Sequence, residues 1–256
     1  YFPGGRIEPG GISSGDFLRE GFRAEASVSV LSEDLSPILS GIWPGEKDGK
    51  LEGVLDPVIF VKDRIVTRGR LDGKIFGGVI SITALEAERI FSSAPMVKLS
   101  ADFSSIDLGK LTGDTPFGRI EGVLNGYIRN LEIAGIQPQS FDMLLETAEG
   151  SRGGEKISLR AVENISRIGA GQSPFVGFAG VLTSFFETLS YRKIGVRATL
   201  SNDYFTVNGT IDEDGTEYIM KRGGLSGVNI VNRNPDNRIR FKDMVNRIKR
   251  VLDEDR

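Results

Sequence analysis

The stretch Phe22–Leu31, FRAEASVSVL, decides the fold. Phe22, Ala24, Ala26, Val28 and Val30 fall on one side of an extended chain, and Arg23, Glu25, Ser27 and Ser29 on the other. A period of two is the signature of a β-strand with one apolar face. The same alternation recurs in short runs through residues 1–150, each run ending in glycine or in a Pro/Asp turn. It predicts strands at 22–31, 51–60, 64–71, 74–83, 97–105, 117–130 and 139–147, with Phe2–Gly15 entering as a short edge piece. Many such strands in a row make a long sheet. Its apolar face is either a packed core or a surface for something greasy that is not protein.

The breaks between runs carry turn chemistry: Pro44-Gly45, Lys47–Gly49, Gly113–Pro116 and Gly135–Pro138. Leu71-Asp72-Gly73 reads as an Asp-Gly hairpin. In Lys74–Thr83, Ile75 and Val79 point one way and Phe76, Ile80 and Ile82 the other, so that strand is expected to be apolar on both faces. Gly77-Gly78 in its middle reads as a bulge or a close approach.

The character changes after Gly150. Residues 1–150 read as a long sheet segment that forms a groove, and 151–256 as an α+β segment that closes or caps it. Arg160–Ile168 has helical spacing, with Ala161, Val162, Ile165 and Ile168 on one face and Gly169 as the stop. Pro174–Leu189 is the clearest helix, with Phe175, Phe178, Val181, Leu182, Phe185, Phe186 and Leu189 at i, i+3, i+4, i+7 spacing. Strands are expected at 194–201, 204–211, 216–222 and 228–233, and then a terminal amphipathic helix with Phe241, Met244, Val245, Ile248, Val251 and Leu252 on one side. The fold class is thus mainly β: a long, bent, antiparallel-rich open sheet with a helix pair, a short C-terminal sheet and a terminal helix.

Composition narrows the chemistry. The 256 residues contain no Cys and no His, which removes His-based triads, Cys nucleophiles, the usual Zn ligand sets and haem ligation. Disulfides are absent too, so Cys usage says nothing about compartment. A net charge of −3 gives no general attraction to nucleic acid. No run of apolar residues is long enough for a membrane-spanning helix. The chain opens at Tyr1 without Met, which points to a fragment or a processed product, with targeting information upstream.

Each remaining motif has a plainer reading. Ile168–Gly171 lacks the Lys-Ser/Thr of a phosphate loop and reads as a helix stop. Asp212-Glu213-Asp214-Gly215 lacks the later ligands of a Ca²⁺ loop and reads as a hairpin turn. Glu86, Glu88, Asp102 and Asp107 read as solvated residues, although two carboxylates flanking one bond would suit sugar hydrolysis. Lys156 and Ser158 share a strand face but have no oxyanion hole in view. The basic residues Arg238, Arg240, Lys242, Arg247, Lys249 and Arg250 read as a solvated face, with contact to anionic lipid as the sharper alternative. No catalytic residue, cofactor or metal site is expected.

One long stretch is familiar as a whole. Lys156–Leu200 runs KISLRAVENISRIGAG and then FAGVLTSFFETLSYRKIGVRATL. With Gly73–Thr83, Ala101–Leu108, Phe117–Gly126 and Gly223–Val231, it resembles the C-terminal region of the YdbH-type branch of AsmA-like proteins, a domain also labelled "dicarboxylate transport". The resemblance covers about residues 60–252, and its motifs are structural instead of catalytic. Phe241 stands where the family's pattern has Trp. The dicarboxylate label would need clustered Arg, and Arg is scattered along this chain.

The resemblance implies a bridge-like lipid transfer protein in the periplasm of a Gram-negative bacterium. An upstream helix would anchor the full-length protein in the inner membrane and make its membrane contact. Its apolar β groove would carry phospholipid toward the outer membrane. Candidate groove residues are Val28, Val30, Ile80, Ile82, Leu99, Phe103, Ile120, Leu124, Met143 and Leu145. Phe175, Phe178, Leu182, Phe185 and Phe186 would face the groove or a core. Open sheet edges invite an outer-membrane protein or lipoprotein to add a strand. A non-catalytic periplasmic interaction module in envelope biogenesis is the alternative. A carbohydrate-active β protein ranks third, since one Trp (Trp43) and five Tyr offer few stacking platforms.

Overall fold

The computed structural model describes residues 5–15, 23–40, 43, 48–149, 155–170, 187–224, 227–232 and 238–246, without the side chains of 12–15 and 167–170. The chain is mainly β. The elements in order are β1 (Gly5–Gly15), β2 (Arg23–Ser32), α1 (Ser36–Leu39), β3 (Gly49–Val61), β4 (Arg64–Ile75), β5 (Gly78–Glu88), β6 (Met96–Asp107), α2 (Leu108–Thr112), β7 (Val123–Ala134), β8 (Gln137–Thr147), β9 (Glu155–Ser158), α3 (Leu159–Ala170), β10 (Thr188–Ser201), β11 (Tyr204–Gly209), β12 (Ile211–Glu213), β13 (Thr216–Arg222), β14 (Ile230–Val231) and β15 (Arg238–Arg240). The strands form one open sheet in the order β1-β2-β3-β4-β5-β6-β7-β8-β10-β11-β15, with β9, β12, β13 and β14 branching from it around β10.

The chain divides into two compact units that interleave along the sequence instead of meeting at Gly150. The first holds residues 1–43, 47–104 and 127–141; the second holds 44–46, 105–126 and 142–256. The segments 105–126 and 142–149, which alternation alone assigns to the groove, therefore belong with the C-terminal elements.

In the first unit the strands follow one another as an antiparallel meander. Register shifts fall at Gly10/Ser13, Ala26/Val28, Leu55/Val58, Val66/Arg70 and Thr83/Glu86, and these positions sit opposite one another from strand to strand. A bulge bends and twists its strand locally, so a line of bulges creases the sheet. Pro57 lies in this line, where the missing N–H costs no ladder bond.

The second unit has a sealed core. Ile157, Ala161, Val162, Tyr191 and Met220 are fully buried, joined by Leu108, Ile120, Leu189, Ile194, Ile219 and Ile230. Helix α3 lays Ala161 and Val162 into it, and Asn164 Nδ2 donates to the Phe117 carbonyl at 2.9 Å. Residues 119–121 run alongside β9, through Ser158 N to the Arg119 carbonyl at 2.9 Å and Glu121 N to the Lys156 carbonyl at 2.8 Å.

Several expectations change. Asp72-Gly73 lies inside β4, and the β4–β5 turn is Phe76-Gly77, with φ of 51° and 72°. Positive φ at both central residues makes the type I′ hairpin geometry, which Phe76 adopts while buried at 6% exposure. This turn resets the alternation, so Ile75, Ile80 and Ile82 share one face and Val79 lies on the other. Residues 117–122 contribute only the isolated bridge Ile120–Ile157, and the strand starts at Val123. Leu108–Thr112 is a short helix that hydrophobic periodicity missed; Asp107 caps it by accepting from Lys110 N at 3.1 Å. Gly169 lies within α3 and does not stop it.

Leu189 is a strand residue paired with Ile157, not the last residue of a helix. The rest of the Phe-rich segment, with Phe175, Phe178, Leu182, Phe185 and Phe186, lies outside the described residues, as do the terminal-helix residues beyond Asn246. Asp214-Gly215 is the β12–β13 hairpin turn, as its chemistry predicts.

Candidate functional site

Register assigns every side chain of the first unit to a face. Pairing joins Val28 to Leu55, Val30 to Gly53, Gly53 to Leu71, Leu71 to Ile82, Ile80 to Phe103 and Ile82 to Ala101. Residues directly opposite across strands project to the same side. One face of β2–β6 therefore carries Ala24, Ala26, Val28 and Val30; Leu51, Leu55, Val58 and Phe60; Ile65, Leu71 and Ile75; Ile80, Ile82 and Ala87; and Val97, Ala101 and Phe103. Leu99 joins them by alternation between Lys98 and Ser100. Ile7 of β1 continues the face opposite Val30 and is 51% exposed.

The other face is dominated by charge. Arg64 Nη2 lies 2.6 Å from Glu86 and Arg64 Nε 3.4 Å from Glu88; Lys98 reaches Glu88 at 3.6 Å and Glu132 at 3.4 Å. Lys74 meets Glu52 at 2.6 Å, Arg70 meets Asp72 at 2.9 Å, and Arg129 meets Asp102 at 2.5 Å. Hydrogen bonds donated by Arg64 to Glu86, by Lys74 to Glu52 and by Arg129 to Asp102 raise the pKa of each cation. Leu31, Ile59, Val61, Val66, Val79, Met96 and the half-exposed Val54 interrupt this face with apolar side chains.

Burial separates the two units. In the second, Ile157, Val162 and Met220 are at 0% exposure. On the apolar face of the first, the tightest positions are Ile75 (6%), Leu55 (8%), Leu71 (8%) and Val30 (9%), with Ala101 at 5%. Val28, Leu51, Val58, Ile82 and Leu85 pack around Leu55 and Leu71 while only partly buried. Ile80, Leu99, Phe103, Phe60 and Ile65 are likewise half-buried. Leucines in a closed two-layer interior would be sealed as the second unit's are. This face keeps a partly accessible apolar floor.

Of the residues singled out from sequence, Val28, Val30, Ile80, Ile82, Leu99 and Phe103 come together on this floor. Ile120 and Leu124 do not: Ile120 is a core residue of the second unit at 6% exposure, and Leu124 packs against that core. Met143 and Leu145 are half-buried on β8 in the second unit. Leu51, Leu55, Leu71, Phe60 and Ile65 belong to the floor and were missed, because without the register neither face of β3 and β4 could be tied to Val28 and Val30.

The residues weighed for catalysis each make structural contacts. Glu86, Glu88 and Asp102 are ion-paired, and Asp107 caps α2. Ser158 Oγ accepts from Ala161 N at 3.2 Å at the start of α3, while Lys156 Nζ donates to Ser190 Oγ at 3.1 Å, so the two form no dyad. Trp43 packs edge-on to Phe76 with ring centroids 5.9 Å apart. Among the described residues no acidic group is arranged to hold a metal ion, and no helix is long and apolar enough to cross a membrane. A concavity of about 430 Å³ in the second unit is lined by Asp107, Arg119, Glu121, Glu149 and Glu155, with Val123 and Ala148 among them.

Compared with known proteins, the chain matches no family model, no curated protein and no solved structure.

Proposed function

We propose that this chain is the distal part of a periplasmic bridge-like protein that carries phospholipid between the inner and outer membranes along the apolar face of β2–β6. The observation that supports it is the sidedness of that sheet: an apolar, half-accessible floor across consecutive strands, backed by an ion-paired face. Strands of 10 to 13 residues at about 3.3 Å per residue span more than an extended acyl chain. Each buried CH₂ contributes about 0.8 kcal/mol wherever it rests on such a floor, so a chain can move along it without a deep trap. The step needs no nucleophile, metal or cofactor.

Partners follow from the same reading. Phospholipid occupies the floor. Among the described strands β1 ends the sheet order, and its outer edge is the place for a strand donated by an outer-membrane protein or lipoprotein. The location is the periplasm, with the membrane anchor upstream in the full-length protein.

The test is native mass spectrometry with lipid analysis of the purified chain. Co-purifying phospholipid that is lost in Leu99→Asp and Phe103→Asp, and kept in Ser104→Asp on the opposite face, is the expected result. A lipid-free, stably folded wild-type chain overturns it in favour of a protein-interaction module.

A further inference from the structure

The connections of the meander leave one end of the first unit apolar at its tips. The β3–β4 turn (Lys62-Asp63), the β5–β6 loop (residues 89–95) and the β7–β8 turn (Gly135-Ile136) lie at the same end, because alternate hairpins of an antiparallel meander do. Backbone bonds tie them into a row: Ile90 N donates to the Asp63 carbonyl at 3.2 Å, and Gly135 N to the Pro95 carbonyl at 3.1 Å.

Two large apolar side chains stand out from this row. Ile136 is 95% exposed and Phe91 is 78% exposed, the two most exposed large apolar residues described. Phe91 meets Phe60 edge-on with ring centroids 6.2 Å apart. Neither is explained by its turn. Gly135 supplies the positive φ (62°) of the β7–β8 turn, and the next position takes any small polar residue without loss. At the opposite end the comparable aromatics, Trp43 and Phe76, pack on each other, and Phe76 is buried.

We propose that this end dips Phe91 and Ile136 into the interfacial zone of a phospholipid bilayer. Connections two strands apart are separated by about 10 Å, so the tips form a row of separate prongs. Such prongs match a fluid, planar apolar partner. A folded protein partner would instead need a contiguous, shape-matched patch. Exposed Lys62 and Arg89, both at left-handed positions beside the prongs (φ of 56° and 53°), are placed to meet headgroup phosphates, with Asp63 as the one exposed carboxylate in the Lys62 turn. The proposal is independent of lipid carriage on the sheet face, because bilayer contact uses loop tips that the floor does not include.

Flotation of the full chain with vesicles of phosphatidylcholine and phosphatidylglycerol tests it. Phe91→Ser and Ile136→Ser are expected each to lower the bound fraction's partition constant about tenfold. Both side chains are solvent-exposed, so folding is not at stake. The indole introduced by Ile136→Trp is expected to shift to shorter wavelength and to be quenched by bromolipid on vesicle addition. Flotation unchanged by both serine variants, or an Ile136→Trp emission that stays water-like with vesicles present, overturns the proposal. So does a wild-type dimer that both serine variants abolish without vesicles present, which would make the tips a contact between copies. Loss of co-purified lipid in Leu99→Asp with flotation retained separates this proposal from the carriage reading.

Discussion

The Tyr191 hydroxyl donates to the Glu121 carbonyl, and the next residue, Gly122, lies so close that a Cβ there would sit 2.5 Å from Tyr191 Oη. The contact fastens the segment before β7 to β10 in the second unit's core. Gly122 also has a φ of +115°, which side chains rarely adopt. Gly122→Ala is expected to destabilise the chain by about 2–4 kcal/mol through strain and clash together. Tyr191→Phe, which removes the hydroxyl's bonds to the Glu121 carbonyl and to Thr147, is expected to cost about 1–2 kcal/mol. Urea unfolding followed by circular dichroism measures both.

The same tyrosine sets a limit at high pH. Burial, and then the nearby Glu155, raise its pKa well above the ordinary value near 10. The folded state therefore holds the phenolic proton more tightly than the unfolded chain does. The resulting stability is fully present below about pH 10, where the unfolded phenol is still protonated, and is lost as pH rises above that value. Thermal midpoints measured between pH 8 and 11 are expected to fall more steeply for wild type than for Tyr191→Phe.

Ser158 caps α3, so Ser158→Ala is expected to cost about 1 kcal/mol and to leave Lys156 bonded to Ser190. A hydrolase reading requires instead that the variant abolish turnover of an ester probe that wild type cleaves. Chemical denaturation and an esterase assay on the same two proteins decide between them.

Thr112 is the hub of the α2 turn. Its Oγ1 accepts from Ile120 N at 2.9 Å and donates to the Leu108 carbonyl at 2.7 Å, all within buried surroundings. Thr112→Val keeps the shape and strands the Ile120 amide, for an expected loss of about 1–3 kcal/mol. Amide exchange at Ile120 is expected to accelerate by more than the global loss of stability accounts for.

Phe103 and Ser104 are adjacent, on opposite faces of β6. A photoreactive side chain at position 103 is expected to capture phospholipid from vesicles, and the same group at 104 to capture little. Equal capture at both positions would remove the assignment of the floor.

Much of the fold is legible in the alternation itself. FRAEASVSVL can place its apolar residues on one side only as a strand, and β2–β6 lie within a few residues of where periodicity puts them. Sidedness within a strand is local physics, because successive Cβ atoms point to opposite faces. Asp214-Gly215 reads as a turn for an equally local reason.

Which strand faces belong together is not local. Only the register ties Val28 to Leu55, Leu71 to Ile82 and Ile80 to Phe103, and only the turn at Phe76-Gly77, not Asp72-Gly73, places Ile75 beside Ile80 on one face. Alternation likewise could not separate Ile120 from Phe103. Both are apolar residues in apolar stretches, yet one is sealed against Ile157 and the other lies half-open on a sheet. Burial is decided by what packs over a residue from distant sequence, so the accessible floor and the exposed prongs of Phe91 and Ile136 emerge only from the tertiary structure.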